Sequence, residues 1–243
     1  MVLSLPKWIT EHYKENGKQI SEIFEANECF MFTAKIMQTR LAHGKEFPDL
    51  WHHFFDTPDL VIYPQGNNDN VYFLLTTNKQ GRINENGERL LKLIRPENLA
   101  SNGGAIVEIL DHLKGNNLIK VSRKKITTEK YLTRDQTLKE QVWRILARHP
   151  DEVHAEITEN EDLLHVYTTM VQLKTHDSEN MTIYLDNPLK QNTTFKTLCI
   201  GGISGRSSAT GWYNLNDYNG RFIGITPNKN PESSRLEKSV LNY

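Results

Sequence analysis

Apolar residues Ile20, Ile23, Phe24, Phe30, Met31, Ala34, Met37 and Leu41 recur at three- and four-residue intervals. That period predicts an amphipathic helix over 18–41. Cys29, Phe32 and Ile36 fall on its other side, so the helix is expected to be covered on both faces. A shorter helix is expected ahead of it, opened by Pro6 and ended near Gly17.

The period then changes. The run FPDLWHHFFDTPDLVIYPQG (47–66) carries three prolines and reads as a loop entering a strand at 60–63. VYFLLTT (71–77) is rich in β-branched and aromatic residues and reads as a strand. Asn86-Gly87 is a hairpin signal, although 90–94 could equally open a helix. AIVEILDHLKGN (105–116) predicts a helix ended by Gly115, and NLIKVSRKKI (117–126) a strand with a basic end.

Thr133 and Gln136 have the spacing of a capping box. They open an expected helix over 134–150 with Leu138, Val142, Ile145 and Leu146 on one face and Pro150 as its stop. Beyond it the alternation is that of strands: VHAEIT (153–158), LLHVYTTMVQLKT (163–175), MTIYLD (181–186), FKTLCI (195–200), WYNL and RFIGIT. The expected fold class is therefore α+β, a helical N-terminal part followed by a β-dominated C-terminal part with a mixed sheet. The expected division is a mainly helical region with a hairpin over 1–100 and an α/β to β region over 101–243. A boundary would fall near 96–104, and a single domain remains open.

Composition narrows the class. With 37% hydrophobic and 24% charged residues the chain reads as globular. It has no apolar run near the roughly 18 residues of a membrane span, so no membrane partner is expected. The N-terminus lacks a basic segment followed by an apolar one, which points to an intracellular, cytoplasmic protein. Cys29 and Cys199 belong to no Cys-x-x-Cys pair and are expected to be small buried residues rather than zinc ligands.

Net charge is -1, but unevenly spread: -4 over 1–113, +7 over 114–148, -8 over 149–188 and +4 over 189–243. A basic block that precedes an acidic one suits a nuclease, in which cations hold phosphates and carboxylates hold Mg²⁺. A basic helix beside an acidic hairpin would give the same pattern.

Within the acidic block, Asp162 is followed ten residues later by Gln172-Leu173-Lys174. An acid followed by apolar-Gln-x-Lys resembles the active site of the restriction-endonuclease-like (PD-(D/E)xK) nucleases around residues 156–174. The resemblance implies Mg²⁺-dependent DNA endonuclease activity. It assigns Asp162 and Gln172 as metal ligands, Lys174 as the catalytic cation and Glu156 as a further acid. On a strand, Gln172 and Lys174 would share a face. Arg123, Lys124, Lys125, Arg134, Lys139, Arg144 and Arg148 would hold the DNA backbone. An enzyme that cuts both strands of a palindrome would be expected to be a homodimer.

The same region offers a reading of another class. Helices over 105–116, at TEKYL (128–132) and over 137–150 followed by a two-stranded wing resemble a winged helix, a non-catalytic DNA- or protein-binding module. Two other clusters carry less. GGISGRSSATG (201–211) lacks the P-loop spacing and reads as a hairpin loop, with Arg206 and backbone N–H groups its only means of holding a phosphate. His43, His52 and His53, with Asp49, Asp56 and Asp59, lack helical zinc-ligand spacing and read as a packed aromatic loop.

Overall fold

The computed structural model describes residues 29–78, 80–108, 113, 117–147, 160–203, 207–211, 215 and 224–225. Its frame is a curled, mixed sheet of eight strands. Strand β1 (Cys29–Phe30) leads into helix α1 (Thr33–His43) and a short α2 (Asp49–His52). Then come β2 (Phe55–Tyr63), β3 (Asn70–Leu74), α3 (Glu85–Leu91), β4 (Ala105–Ile106) and β5 (Leu118–Ser122). Strand β6 (Leu132–Thr133), α4 (Arg134–Lys139), α5 (Gln141–Leu146) and α6 (Asn160–Thr175) follow. The described chain ends with β7 (Glu179–Leu185), β8 (Thr194–Ile200), β9 (Ser207–Gly211) and β10 (Gly224–Ile225).

The large sheet runs β5-β3-β2-β8-β9-β7-β6, with β4 also on β8. Its pairings are antiparallel except β7 with β9. β1 pairs apart with β10, Cys29 opposite Ile225. The expected order, helical part first and β part second, is thus corrected: β2 and β3, from the first third of the chain, lie in one sheet with β7 to β9. β2 is buried along its whole length, as a central strand covered on both faces must be. Its Pro58 sits where the register with β8 shifts between Asp56 and Leu60, and an irregularity there tolerates the missing donor.

Each sheet face has its own core. Val61, Tyr63, Phe73, Leu198 and Ile200 pack with α1, α5 and α6, while Leu60, Ile62, Leu74 and Phe195 pack with Phe30 and α3. In the first core lies Arg40, 1% exposed. Its Nε donates to Leu50 O at 2.9 Å, its Nη1 to the Tyr167 hydroxyl at 2.6 Å and its Nη2 to His53 O at 2.8 Å. The guanidinium also lies 5.9 Å from the Trp51 ring and 5.4 Å from Phe55. One side chain therefore binds α1, α2, the entry to β2 and α6 together.

Several local expectations change for physical reasons. Of the helix expected over 18–41, Cys29 and Phe30 are extended in β1 and the helical part is Thr33–His43, while 18–28 lie outside the described residues. Asn86-Gly87 lies inside α3, where Asn84 caps the helix by accepting from Gly87 N at 2.9 Å. Gly87 serves packing there, since a Cβ would come 2.5 Å from Thr76 Cβ. The expected helix at 105 begins instead with β4. The capping box of Thr133 and Gln136 is present, but the helix it opens breaks at Glu140, whose carboxylate accepts from Thr127 N at 3.2 Å and caps α5.

The largest change is at 163–175, expected as a strand and found as α6. Its buried positions, Leu164, Tyr167, Thr168 and Val171, have helical spacing. Its threonines, which favour strands, donate their hydroxyls to carbonyls four residues back: Thr168 to Leu164, Thr169 to His165 and Thr175 to Val171. The expected elements at 6–17 and 153–158, and WYNL at 212–215 apart from Leu215, lie outside the described residues.

Candidate functional site

Three connections meet at one end of the sheet. Residues 64–69 join β2 to β3, 186–193 join β7 to β8, and 99–104 lead into β4. The register places 64–69 beside 186–193, because Tyr63 at the end of β2 pairs with Thr194 at the start of β8, and the turn at 99–104 folds back over Thr194, with a Cβ on Gly104 only 3.1 Å from Thr194 Cβ. The first two loops are also bonded to each other, and the third to the start of β8. Gly66 N donates to Leu189 O at 2.8 Å and Gln65 N to Thr193 Oγ1 at 3.0 Å. Val107 N donates to Thr193 O at 3.0 Å, and Asn102 Nδ2 to Thr194 Oγ1 at 3.4 Å.

Below this surface lies a buried polar cluster. Lys196, 1% exposed on β8, reaches Asp186 at 2.8 Å, just past the end of β7. Burial lowers the Lys196 pKa, and the Asp186 carboxylate pulls it back only in part. The Tyr63 hydroxyl donates to Gly211 O at 2.8 Å and accepts from Asp186 N at 3.3 Å. Burial pushes its phenol above the usual tyrosine range. Gly211 is required here, since a Cβ would meet the Tyr63 hydroxyl at 2.7 Å and Val61 Cγ2 at 2.9 Å. The cluster fixes the start of the 186–193 crossover against β2, β8 and β9.

The surface is rich in amides: Gln65, Asn67, Asn68, Asn70, Asn102, Asn187, Gln191 and Asn192. Asn67 and Asn102 shape their own loops by accepting from Asp69 N and Gly104 N. Gln65, Asn68, Asn187 and Gln191 are exposed. The surface carries few charges: Asp69 faces Lys124 at 3.7 Å, Asp186 is taken up by Lys196, and Lys190 is exposed.

The residues expected to form a nuclease site are not brought together. Asp162 and Gln172 lie on one helix ten residues apart, which is about 15 Å along its axis. Gln172 and Lys174, two apart on a helix, do not share a face. Gln172 is half-buried, and Lys174 is exposed with its Nζ 5.2 Å from the centre of the Trp51 ring. Glu156 lies outside the described residues. Among those described, no group of three His, Cys, Asp or Glu side chains could hold a metal ion such as Mg²⁺, the His43, His52 and His53 region included.

The basic residues expected on DNA are dispersed. Arg123, Lys124 and Lys125 form a 3-10 turn after β5, Arg134 and Lys139 lie at the two ends of α4, and Arg144 is half-buried on α5. Arg148 and Arg206 lie outside the described residues. Cys29 and Cys199 are buried, as expected. The loop amides, Tyr63 and Lys196 were not singled out by sequence reasoning. A lysine inside the mostly apolar strand FKTLCI was the available signal, because a strand with so little polar alternation reads as buried on both faces and leaves such a lysine to find a buried partner.

No family model matches the chain, and no curated protein matches it either. The fold is similar to that of a solved structure whose report describes the accommodation of massive sequence variation in Nanoarchaeota by the C-type lectin fold. The likeness has a TM-score of 0.59 at 12% identity and covers 90% of this chain and 98% of that one. At that identity it establishes the fold alone: the chain is similar to the C-type lectin fold. The restriction-endonuclease-like resemblance, the DNA endonuclease reading and the winged-helix alternative are thereby corrected. The winged-helix order also fails locally, since β4 stands where its first helix would begin and α6 where its wing would return.

Proposed function

We propose that this protein is a binding protein that presents the surface formed by residues 64–70, 99–104 and 186–193 to a polar, uncharged ligand rich in hydroxyl groups. The observation that carries this reading is the bonding of 64–69 to 186–193, with Asn102 held on Thr194 beside them, above the Lys196, Asp186 and Tyr63 cluster. Loops held by a rigid scaffold lose little conformational entropy on binding, which is where affinity from weak polar contacts is otherwise lost.

The side-chain chemistry selects the ligand class. An amide both donates and accepts, and so does a hydroxyl, so exposed Gln65, Asn68, Asn187 and Gln191 match a polyhydroxylated surface. One exposed lysine, Lys190, beside the Asp69 and Lys124 pair is no cluster of cations for an anion. The related fold supports the reading in a general way, because the solved structure is described as accommodating massive sequence variation on such a scaffold.

A glycan array tests this. The intact chain is expected to retain a defined set of neutral glycans. The combined change Gln65→Ala, Asn68→Ala, Asn187→Ala and Gln191→Ala is expected to weaken that retention roughly tenfold or more at unchanged melting temperature, as the loss of several hydrogen bonds worth about 1 kcal/mol each requires. Retention of no neutral glycan, or retention unaffected by the four changes, would overturn the reading.

A further inference from the structure

The large sheet has an open edge at β5. Its strand order begins with β5, whose one neighbour among the described strands is β3. The bonds from Arg123 N to Asp69 O at 2.8 Å and from Leu75 N to Asn117 O at 3.0 Å set which residues of β5 turn towards β3. In an antiparallel ladder bonded and unbonded pairs alternate, so Ile119 and Val121 exchange their backbone bonds with Phe73 and Val71. Leu118, Lys120 and Ser122 therefore turn theirs outward. The N–H groups of these three residues and the carbonyls of Leu118 and Lys120 meet no partner among the described residues. An edge of this kind is a template for one more strand.

Side chains on and beside the edge select that strand. Residues 117–126 carry four cations, Lys120, Arg123, Lys124 and Lys125, and no acid. The three lysines are exposed, and Asp69 stands 3.7 Å from Lys124. Leu118 packs against the core on the α3 side and Ile119 against the core on the α1 side, so both sheet faces stay apolar up to the edge. A second copy of this chain fits poorly. Two β5 strands paired antiparallel about Lys120 would set the two lysines opposite each other, and like charges directly opposite destabilise a pair. An acid in that place reverses the sign of the contact. A phosphate backbone would meet the cations and the outward N–H groups, but it has nothing to donate to the outward carbonyls.

We propose that β5 is a docking edge for an extended, acidic peptide segment of another protein, which adds to the sheet as a strand with a carboxylate beside Lys120. Its main chain bonds to Leu118, Lys120 and Ser122, and its further acids run on towards Arg123, Lys124 and Lys125. In strand addition the main-chain bonds supply affinity and the side chains choose the partner. The edge meets the loop surface at Asp69 but takes a partner of a different kind from the hydroxyl-rich ligand proposed for the loops.

Fluorescence anisotropy of the full chain with a labelled, end-capped peptide of alternating glutamate and valine tests this. The peptide is expected to bind at least tenfold more tightly than its counterpart with lysine for glutamate. N-methylation of its glutamates, whose N–H groups face the edge when a glutamate lies opposite Lys120, is expected to weaken binding at least tenfold. Ser122→Pro removes an outward donor where φ is already -72° and costs no bond to β3, so it is expected to weaken binding at least fivefold at unchanged melting temperature. Lys120→Glu, an exposed change, is expected to shift the preference to the lysine peptide. No binding of the glutamate peptide, equal binding of the two peptides, binding that survives N-methylation or an unchanged preference in Lys120→Glu overturns the proposal. Displacement of the peptide by an oligodeoxynucleotide of equal charge as readily as by unlabelled peptide, or dimerisation of the chain that Ser122→Pro abolishes, overturns it in favour of another occupant.

Discussion

Arg40 and Lys196 are each 1% exposed, yet the fold satisfies them by opposite means. Arg40 meets carbonyl oxygens of Leu50 and His53 and the Tyr167 hydroxyl, with aromatic rings beside its plane. No carboxylate takes part in those contacts. Lys196 meets one carboxylate, Asp186, which is itself 16% exposed. The guanidinium spreads its charge over a planar fork and loses little on leaving water, so neutral acceptors in several directions suffice. The compact ammonium needs a formal counter-charge close to solvent. Arg40 thus ties four segments of the interior, while Lys196 pins one crossover at the rim where the candidate ligand surface begins.

Breaking the interior anchor should have the largest effect. Arg40→Met keeps much of the stem but leaves the carbonyls of Leu50 and His53 and the Tyr167 hydroxyl without their donor. A loss of about 3–5 kcal/mol is expected in chemical denaturation, the range for disrupting a buried charged network. Arg40→Lys should recover less than half of it, since one ammonium cannot reach acceptors on α2, ahead of β2 and on α6 together. Full recovery by lysine would show that charge rather than fork geometry is what the site requires.

The rim pair should respond more mildly, and asymmetrically. Asp186→Ala leaves a buried lysine without its carboxylate and is expected to cost about 2–3 kcal/mol, reduced from the fully buried case by the partial exposure of Asp186. Lys196→Met, which removes the buried charge itself, should stay within about 1 kcal/mol of the wild type. The pH dependence separates the two terms. The folded pKa of Lys196 lies below the ordinary 10.5, so the folded state binds the proton less tightly than the unfolded one. Stability from this group therefore increases as pH rises from the folded pKa towards 10.5, and Lys196→Met should remove that alkaline increase.

The two anchors also show what could be read from the sequence. Strands at 71–77, 181–186 and 195–200 were legible because short β-branched and aromatic runs report a local preference that the sheet then uses. The Thr133 and Gln136 capping box was legible for the same reason: its partners are three residues apart. Helix α6 was not, because its threonines and valines weigh towards a strand while its burial pattern has the helical period, and the period decided. β1 was hidden because its partner lies near residue 225. The loops of the candidate site were legible as loops, but not as neighbours, since Gly66 and Leu189 meet only through the order of strands in the sheet. Lys196 was visible as an anomaly in an apolar strand, whereas its partner Asp186 sits across a crossover that no spacing rule predicts.

The smallest expected effect comes from a third buried charge, an acid, which extends the comparison to the opposite sign. Asp59 on β2 is 1% exposed, and its Oδ2 accepts from Thr33 N at 3.0 Å and Thr33 Oγ1 at 2.8 Å. It supplies the cap that α1 lacks, since Phe32 at the N-cap position offers no side-chain acceptor. Burial raises its pKa above the ordinary 3.8, against the pull of the Thr33 and Thr76 donors. With the folded pKa raised, stability from this group is fully present below 3.8 and is lost as pH rises through the folded value. Asp59→Asn keeps an oxygen for Thr33, removes the buried charge and gives up one acceptor, opposing changes that should leave stability within about 1 kcal/mol of the wild type at neutral pH. Denaturation series at rising pH above 3.8 are expected to show a flatter profile for the variant, which has no carboxyl to titrate. A variant with the wild-type slope would mean that the Thr33 contacts, and not burial, set the ionisation of Asp59.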